Sequence, residues 1–191
     1  FIDCPWGIHA IGSLTSKKGD FGMDGIINDV DEINFENCSI GSEFIAMRSS
    51  LNSASFKDND YSVYSNSNSN TKVKGCYSEN GTSSTFSGIP YPTDYFIKSV
   101  SSNLYCINNE IKLNPLGFGI YMDGPSTALL DNNDVFGDFS SPSRINSCEP
   151  VSIINGNTFY EYVHLALNNC IKSKIFDNTF FEVALDNSTT N

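Results

Sequence analysis

The chain has 191 residues, a net charge of −11 and a sequence pI near 4.4. Its eleven Lys and Arg are scattered, so it lacks the basic stripe with which a nucleic-acid-binding protein replaces counterions on phosphate. The same charge argues against an anionic lipid surface, and no apolar run reaches the length of a transmembrane helix. We therefore expect no nucleic-acid partner and no membrane insertion.

Turn-forming polar residues dominate the composition from the first residues onward. There are 23 Asn, whereas charged residues make up only 17% of the chain. Such a composition is typical of short strands joined by tight turns, not of a charged disordered tail. The segment from Phe1 already has the pattern of a strand, and no convincing helical periodicity follows it. We predict an all-β protein.

A short unit recurs along the chain: an apolar residue, two polar or small residues, Asn, one further residue, and an apolar or aromatic residue. Close copies are centred on Asn59, Asn133, Asn157 and Asn178, and looser copies on Asn37 and Asn109. The intervals 109–133 and 133–157 are 24 residues, and 157–178 is 21. Each interval fits one coil of three short strands and three turns, so about eight coils would stack at about 4.8 Å each.

These spacings predict a right-handed parallel β-helix, a solenoid that occupies residues 1–191 as a single domain. We expect Asn59, Asn109, Asn133, Asn157 and Asn178 to stack at one bend. There the Asn backbone would adopt the left-handed conformation, and each side-chain amide would bond to the Asn of the next coil. Neither end of the chain has the pattern of a cap, so we expect a fragment of a longer polypeptide.

Between the Asn turns the residues alternate with period two. This alternation predicts that Ile120 and Met122 point inward while Tyr121 and Asp123 point outward. Residues 78–96 and 136–150 interrupt the repeat and are too long for simple turns. We expect them to form two lateral loops, the places where solenoids usually carry function.

The six cysteines show no C-x-x-C spacing, which gives a zinc or redox site little support. Three disulfides are conceivable by number, but we expect buried free thiols that act as small core residues. Cys38 and Cys76 occupy matching places in two copies of the repeat. The cysteines are Cys4, Cys38, Cys76, Cys106, Cys148 and Cys170.

Three features of the sequence together resemble the pectin-lyase-like β-helix superfamily. They are the segment 119–124, the ten residues from Asp123 to Asn133, and the Asn-Thr-Phe sequences that begin at Asn157 and Asn178. The resemblance covers residues 33–185 and is closest to the bacteriophage tailspike branch. It implies a homotrimer in a virion tail or another extracellular setting, with a bacterial surface polysaccharide as partner. With only two His in the chain, we expect no metal and no cofactor.

Hydrolysis of a polysaccharide needs two carboxyl groups, about 5–5.5 Å apart for retention or about 6.5–9.5 Å for inversion. Counting back ten or eleven residues from each Asn turn gives an outward column that includes Lys98 and Asp123. We nominate Asp123 with Asp138 or Glu149, from the second loop, as catalytic residues. The alternative is that Asp123 caps the turn at Gly124 and Pro125 and that Asp138 lies in a solvated loop.

Aromatic side chains at outward or loop positions can pack a flat apolar surface against a sugar ring. Tyr91, Tyr95 and Tyr121 are therefore candidate substrate-binding residues, although the same residues could form contacts between subunits.

Three functions remain open at this point. The chain could be a depolymerase with glycoside hydrolase activity, or a β-helix that binds glycans or builds a fibre or adhesin without cleavage. It could also be a secreted pectate-lyase-like enzyme, which would need Ca²⁺ carboxylates and a basic residue. Lys17, Lys18, Asp20 and Asp24 form the local cluster of that kind, but its pattern is that of a charged turn.

Overall fold

We analysed the chain as a computed structural model. It describes these residues: 1–12, 20–21, 33–79, 95–113, 118–124, 127–137, 142–146, 153–160, 164–168, 170 and 173–181. All regular structure in these ranges is β-strand, in three sheets of seven strands.

The first sheet contains β1 (Trp6–Ile11), β4 (Ile40–Ile45), β7 (Tyr61–Asn66), β10 (Tyr95–Val100), β13 (Phe118–Asp123), β16 (Pro142–Asn146) and β19 (His164–Asn168). The second contains β2 (Asp20–Phe21), β5 (Arg48–Asn52), β8 (Asn70–Lys74), β11 (Asn103–Ile107), β14 (Ala128–Asp131), β17 (Ile153–Asn155) and β20 (Lys174–Phe176). The third contains β3 (Asn34–Glu36), β6 (Ser55–Lys57), β9 (Tyr77–Glu79), β12 (Glu110–Lys112), β15 (Asp134–Phe136), β18 (Thr158–Tyr160) and β21 (Thr179–Phe180).

The chain visits the three sheets in strict rotation, and every strand pairs in parallel with the strand three elements away along the chain. One strand from each sheet therefore makes one coil, the topology expected of a parallel β-helix. We call the connections from first to second, second to third, and third to first sheet the first, second and third bends. The all-β prediction, with strands in parallel sheets, is confirmed.

Inward side chains form columns that run from coil to coil. Phe35 stacks on Phe56 with ring centroids 5.0 Å apart, and Phe159 stacks on Phe180 at 4.8 Å. The predicted alternation is confirmed in β13, where Ile120 and Met122 are buried and the residues after each of them are not. A continuous column buries apolar surface in every coil, so it stabilises the stack along its whole length.

The second bend carries a ladder of Asn side chains, as the spacing predicted. The Nδ2 of Asn109 donates to the Oδ1 of Asn133 at 2.8 Å, Asn133 to Asn157 at 2.8 Å, and Asn157 to Asn178 at 2.9 Å. Each Oδ1 also accepts the backbone N–H of the preceding ladder residue, as Asn133 does from Asn109 at 3.1 Å. The ladder thus satisfies buried backbone groups that a bend would otherwise leave unpaired.

The left-handed backbone lies one residue before the ladder position, so our assignment of it to the ladder Asn was wrong. Positive φ angles occur at Asn108 (55°), Asn132 (53°), Gly156 (64°) and Asp177 (55°). The preceding residue turns the chain and aims the next side chain inward. The ladder residue itself needs only an amide.

Asn59 does not belong to this ladder, contrary to our prediction. It lies in the third bend, where its Oδ1 accepts from the backbone N–H of Cys38 at 2.8 Å. Cys76 occupies the ladder position of the second bend, so Cys38 and Cys76 are not equivalent either. Asn37 is the left-handed residue of the third bend (φ 54°), not an interior ladder member.

Five cysteines lie among the described residues, and none of these five is bonded in a disulfide in this structure. Cys38, Cys76 and Cys106 are buried, as expected, whereas Cys4 and Cys170 are partly exposed. Cys148 lies outside the described residues. Within the ranges that the structure describes, no helix has the length and apolar character needed to cross a membrane.

Candidate functional site

The outer surface of the first sheet carries a strip of aromatic side chains, which we call the aromatic face. The strand register aligns Trp6, Tyr61 and Tyr95 near the strand starts, and Tyr64 and Tyr121 near the middle of the strands. The tyrosines span β7 to β13, two inter-strand steps or roughly 10 Å at about 4.8 Å per step. Ile40 and Glu43 of β4 lie between them and β1, which carries Trp6. The fold thus assembles into one surface residues that are far apart in sequence.

The tyrosine rings of the aromatic face pack on one another. Tyr61 and Tyr95 are stacked with an interplanar angle of 1° and centroids 5.3 Å apart, and Tyr121 meets Tyr95 edge-on at 5.6 Å. The Nζ of Lys98 lies 5.3 Å and 5.2 Å from the centroids of Tyr61 and Tyr95. Because stacked rings cover each other's faces, this contact reduces the open ring surface of Tyr61 and Tyr95. Trp6, 54% exposed, offers more open ring surface.

An acid–base pair lies at one end of the aromatic face. The Nδ1 of His9 is 2.5 Å from the Oε2 of Glu43, and the register places Glu43 between His9 and Tyr64. Glu43 is 8% exposed and is the buried carboxylate of this face. Sequence reasoning did not nominate this pair, because 34 residues separate its members. The outward place of Glu43 in an alternating strand was the one available signal.

Burial raises the pKa of two tyrosines of the aromatic face. Desolvation raises the pKa of Tyr64, and the nearby Glu43 carboxylate raises it further. Desolvation also raises the pKa of Tyr61, with a smaller contribution from Asp60. Both phenols therefore stay neutral hydrogen-bonding groups well into alkaline pH.

Asp123 is exposed at the end of β13, two residues from Tyr121 on the same face. Its partner in β10 is Val100, while Lys98 lies opposite Tyr121. The predicted column that joined Lys98 to Asp123 is therefore wrong by two residues. The orientation of Asp123 toward solvent is as predicted.

A second carboxylate for hydrolysis is not brought to Asp123 by the described residues. Within the described side chains of the first-sheet strands, the other outward carboxylate is Glu43, three strands away at about 14 Å. That separation exceeds the range of about 9.5 Å for a hydrolytic pair. Asp138, Glu149 and Tyr91 lie outside the described residues, so their roles stay predictions.

The alternative lyase cluster also falls largely outside the described residues. Lys17, Lys18 and Asp24 are not described, and Asp20 begins the short strand β2. In the part of the chain that the structure describes, no three His, Cys, Asp or Glu side chains converge as a metal site would require.

Comparison of the chain with family models, with curated proteins and with solved structures finds no match. The resemblance to the pectin-lyase-like superfamily therefore rests on the sequence repeat alone.

Proposed function

We propose that this chain is a tailspike-like β-helix that binds a bacterial surface polysaccharide along the aromatic face. The observation that supports this proposal is the cluster of tyrosines in three successive strands, β7, β10 and β13, which spans roughly 10 Å at about 4.8 Å per step, with the exposed Trp6 two strands beyond it. The elongated outer surface of a sheet suits an extended polymer better than a small molecule, which usually occupies a concave pocket. The phenol groups and Lys98 would hydrogen-bond to sugar hydroxyls, and Trp6 would pack against a ring.

The finer features of the fold belong to the same proposal. Parallel crossovers are right-handed in nearly all proteins, so we propose a right-handed helix. We also propose about eight coils, a lateral loop within 78–96, and a homotrimer in a virion tail or extracellular setting. The prediction of one loop at 136–150 was wrong, because residues 142–146 form β16, and we propose shorter loops before and after that strand. The loops would border the aromatic face because each follows a third-sheet strand or leaves a first-sheet strand.

The test is a binding screen with purified capsular and O-antigen polysaccharides, followed by a matched pair of variants. Tyr121→Ala removes a ring from the aromatic face, whereas Tyr105→Ala removes the same side chain from the outer surface of the second sheet. We expect Tyr121→Ala to weaken binding about tenfold or more and Tyr105→Ala to leave it unchanged. Equal losses, or no polysaccharide bound by the wild type, would contradict the proposal.

Cleavage is a second proposal, favoured by the exposed carboxylate of Asp123 beside Tyr121. Asp123 would act with Asp138 or Glu149 as the acid–base pair of a glycoside hydrolase. Asp123→Asn should then keep the affinity and lower turnover by orders of magnitude in a reducing-end assay, because only the proton-transfer or charge-stabilising step is lost. Binding without cleavage by the wild type would instead identify a binding or structural module.

A further inference from the structure

Two cysteines from successive coils meet in the third bend. Cys4 and Cys38 each follow a left-handed residue, Asp3 (φ 51°) and Asn37 (φ 54°), so they occupy equivalent places. Backbone hydrogen bonds hold the two coils in register there, from Asp3 N to Glu36 O at 3.0 Å and from Ser39 N to Cys4 O at 3.3 Å. The two Sγ atoms are 2.9 Å apart.

We propose that Cys4 and Cys38 form a disulfide that joins the first two coils. Residues stacked in adjacent coils are about 4.8 Å apart, which lies within the usual Cα–Cα range of about 4.4–6.8 Å for a disulfide. The sulfurs need to approach by less than about 1 Å to reach bonding distance of about 2.05 Å, a change that small side-chain rotations supply. This proposal is independent of the glycan-binding proposal.

Cys76 and Cys106 make contacts of a different kind. The Sγ of Cys76 donates to Leu51 O at 3.7 Å, and the Sγ of Cys106 accepts from Asn109 Nδ2 at 3.2 Å. Cys38 would give up only weak thiol contacts with the carbonyl oxygens of Glu36 (3.4 Å) and Phe1 (3.8 Å). Thiols are poor donors, so losing these contacts opposes the cross-link little.

Oxidised glutathione can supply the oxidation by thiol–disulfide exchange. The Cys4 thiolate attacks the glutathione disulfide, forms a mixed disulfide and releases one reduced glutathione. The Cys38 thiolate then attacks the Cys4 sulfur and releases the second, so two protein thiols are oxidised and one small disulfide is reduced to two thiols. Cys4 acts first because it is partly exposed, whereas burial, with the Cys4 contact, raises the pKa of the Cys38 thiol to about 11.

The cross-link should act mainly on local opening. It closes a sequence separation of 34 residues and prevents the first coil from separating from the second. Amides of β1 should therefore exchange with solvent more slowly in the oxidised protein, by about tenfold or more. Amides of β18, remote in the stack, should be unaffected.

The test is incubation of the chain in excess oxidised glutathione, alkylation of the remaining thiols, tryptic digestion and mass spectrometry. We expect a cross-linked pair of the peptides 1–17 and 19–48 that disappears on reduction. Cys4→Ser should abolish the pair, and the control Cys170→Ser should retain it.

Hydrogen exchange then provides a second readout on the same samples. Slower exchange in β1, reversed by reductant and missing in Cys4→Ser, supports the proposal. Alkylation of both Cys4 and Cys38 in the folded wild type after oxidation, or a cross-link of either one to another cysteine, would overturn it.

Discussion

The second and third bends use the same amide chemistry in different surroundings. In the second bend, Asn133 accepts from the N–H of Asn109 and donates to the carbonyl oxygen of Cys106 at 2.9 Å. In the third bend, Asn59 accepts from the N–H of Cys38 and donates to Phe35 O at 3.0 Å. Each Asn therefore satisfies two backbone groups of other coils.

The two bends differ in the side chains that stack with the Asn amide along the axis of the solenoid. Asn133 also bonds to the Asn side chains of the coils before and after it. In the third bend, the two coils before Asn59 carry the thiols of Cys38 and Cys4 at the corresponding position. An amide ladder polarises its members cooperatively. Among the described residues, Asn59 bonds to backbone groups and to no other Asn side chain, and the thiol pair makes a covalent cross-link chemically accessible.

The largest expected effect comes from the middle of the ladder. Asn133→Ala should lower the free energy of unfolding by about 3–5 kcal/mol, because it leaves two buried backbone groups unpaired and breaks two side-chain bonds. Asn59→Ala should cost about 1 kcal/mol less, since it breaks no amide–amide bond. Denaturant unfolding measures both. A loss in Asn133→Ala that is smaller than in Asn59→Ala would contradict the difference between the bends.

The thiol of Cys76, at the ladder position of the second bend, should make the free energy of unfolding depend on alkaline pH. Burial raises the pKa of Cys76 from 9.0 to about 11, so the folded state disfavours the thiolate. The neutral thiol therefore contributes about 2–3 kcal/mol to the free energy of unfolding relative to strongly alkaline pH. This contribution is fully present below pH 9 and is lost as the pH rises through 11. Unfolding at a series of pH values should show a shallower alkaline decline in Cys76→Ala. An identical decline in both proteins would exclude Cys76 as its source.

Double-mutant cycles should separate the bends further. Asn109→Ala and Asn133→Ala remove side chains in direct contact, so we expect a coupling energy of about 1–2 kcal/mol. Asn59→Ala combined with Asn133→Ala should be additive within about 0.5 kcal/mol, because the two residues share no partner. Equal coupling in the two cycles would show that the ladder is not a cooperative unit.

The smallest expected effect concerns the left-handed position. Asn132 has φ 53° and an exposed side chain, so Asn132→Ala should be about 1 kcal/mol less stable than Asn132→Gly in thermal unfolding. At Asn133, substitution by Ala and substitution by Gly should both be strongly destabilising. Their relative stability should not depend on a left-handed backbone. Equal stability of the two Asn132 variants would argue against strain at this bend.

The coil could be predicted from sequence where the Asn interval is regular, and the ladder from Asn109 to Asn178 follows it. Asn59 could not be assigned to its bend, because both bends use the same local pattern of a strand, a left-handed residue and Asn. The 50 residues from Asn59 to Asn109 resemble two coils in length, so the interval concealed the change of bend.

The site was predictable only in part, for a related reason. Period-two alternation gave the outward orientation of Tyr121 and Asp123, since it depends on one strand. The His9–Glu43 pair and the Tyr61–Tyr95 stack depend on register between coils. The members of each pair are 34 residues apart, which is longer than the regular repeat of 21–24 residues. Register set by backbone pairing across such intervals cannot be derived from local patterns.

The central claim is that the aromatic face binds the polysaccharide, and Trp6 tests it most directly. Trp6 is the chain's single Trp, and it lies on this face with half of its surface exposed. The measurement is acrylamide quenching of its fluorescence during titration with a polysaccharide that the binding screen identifies. We predict that saturation with polysaccharide protects Trp6 from the quencher, with the same midpoint as binding. Unchanged quenching at saturation would contradict the account.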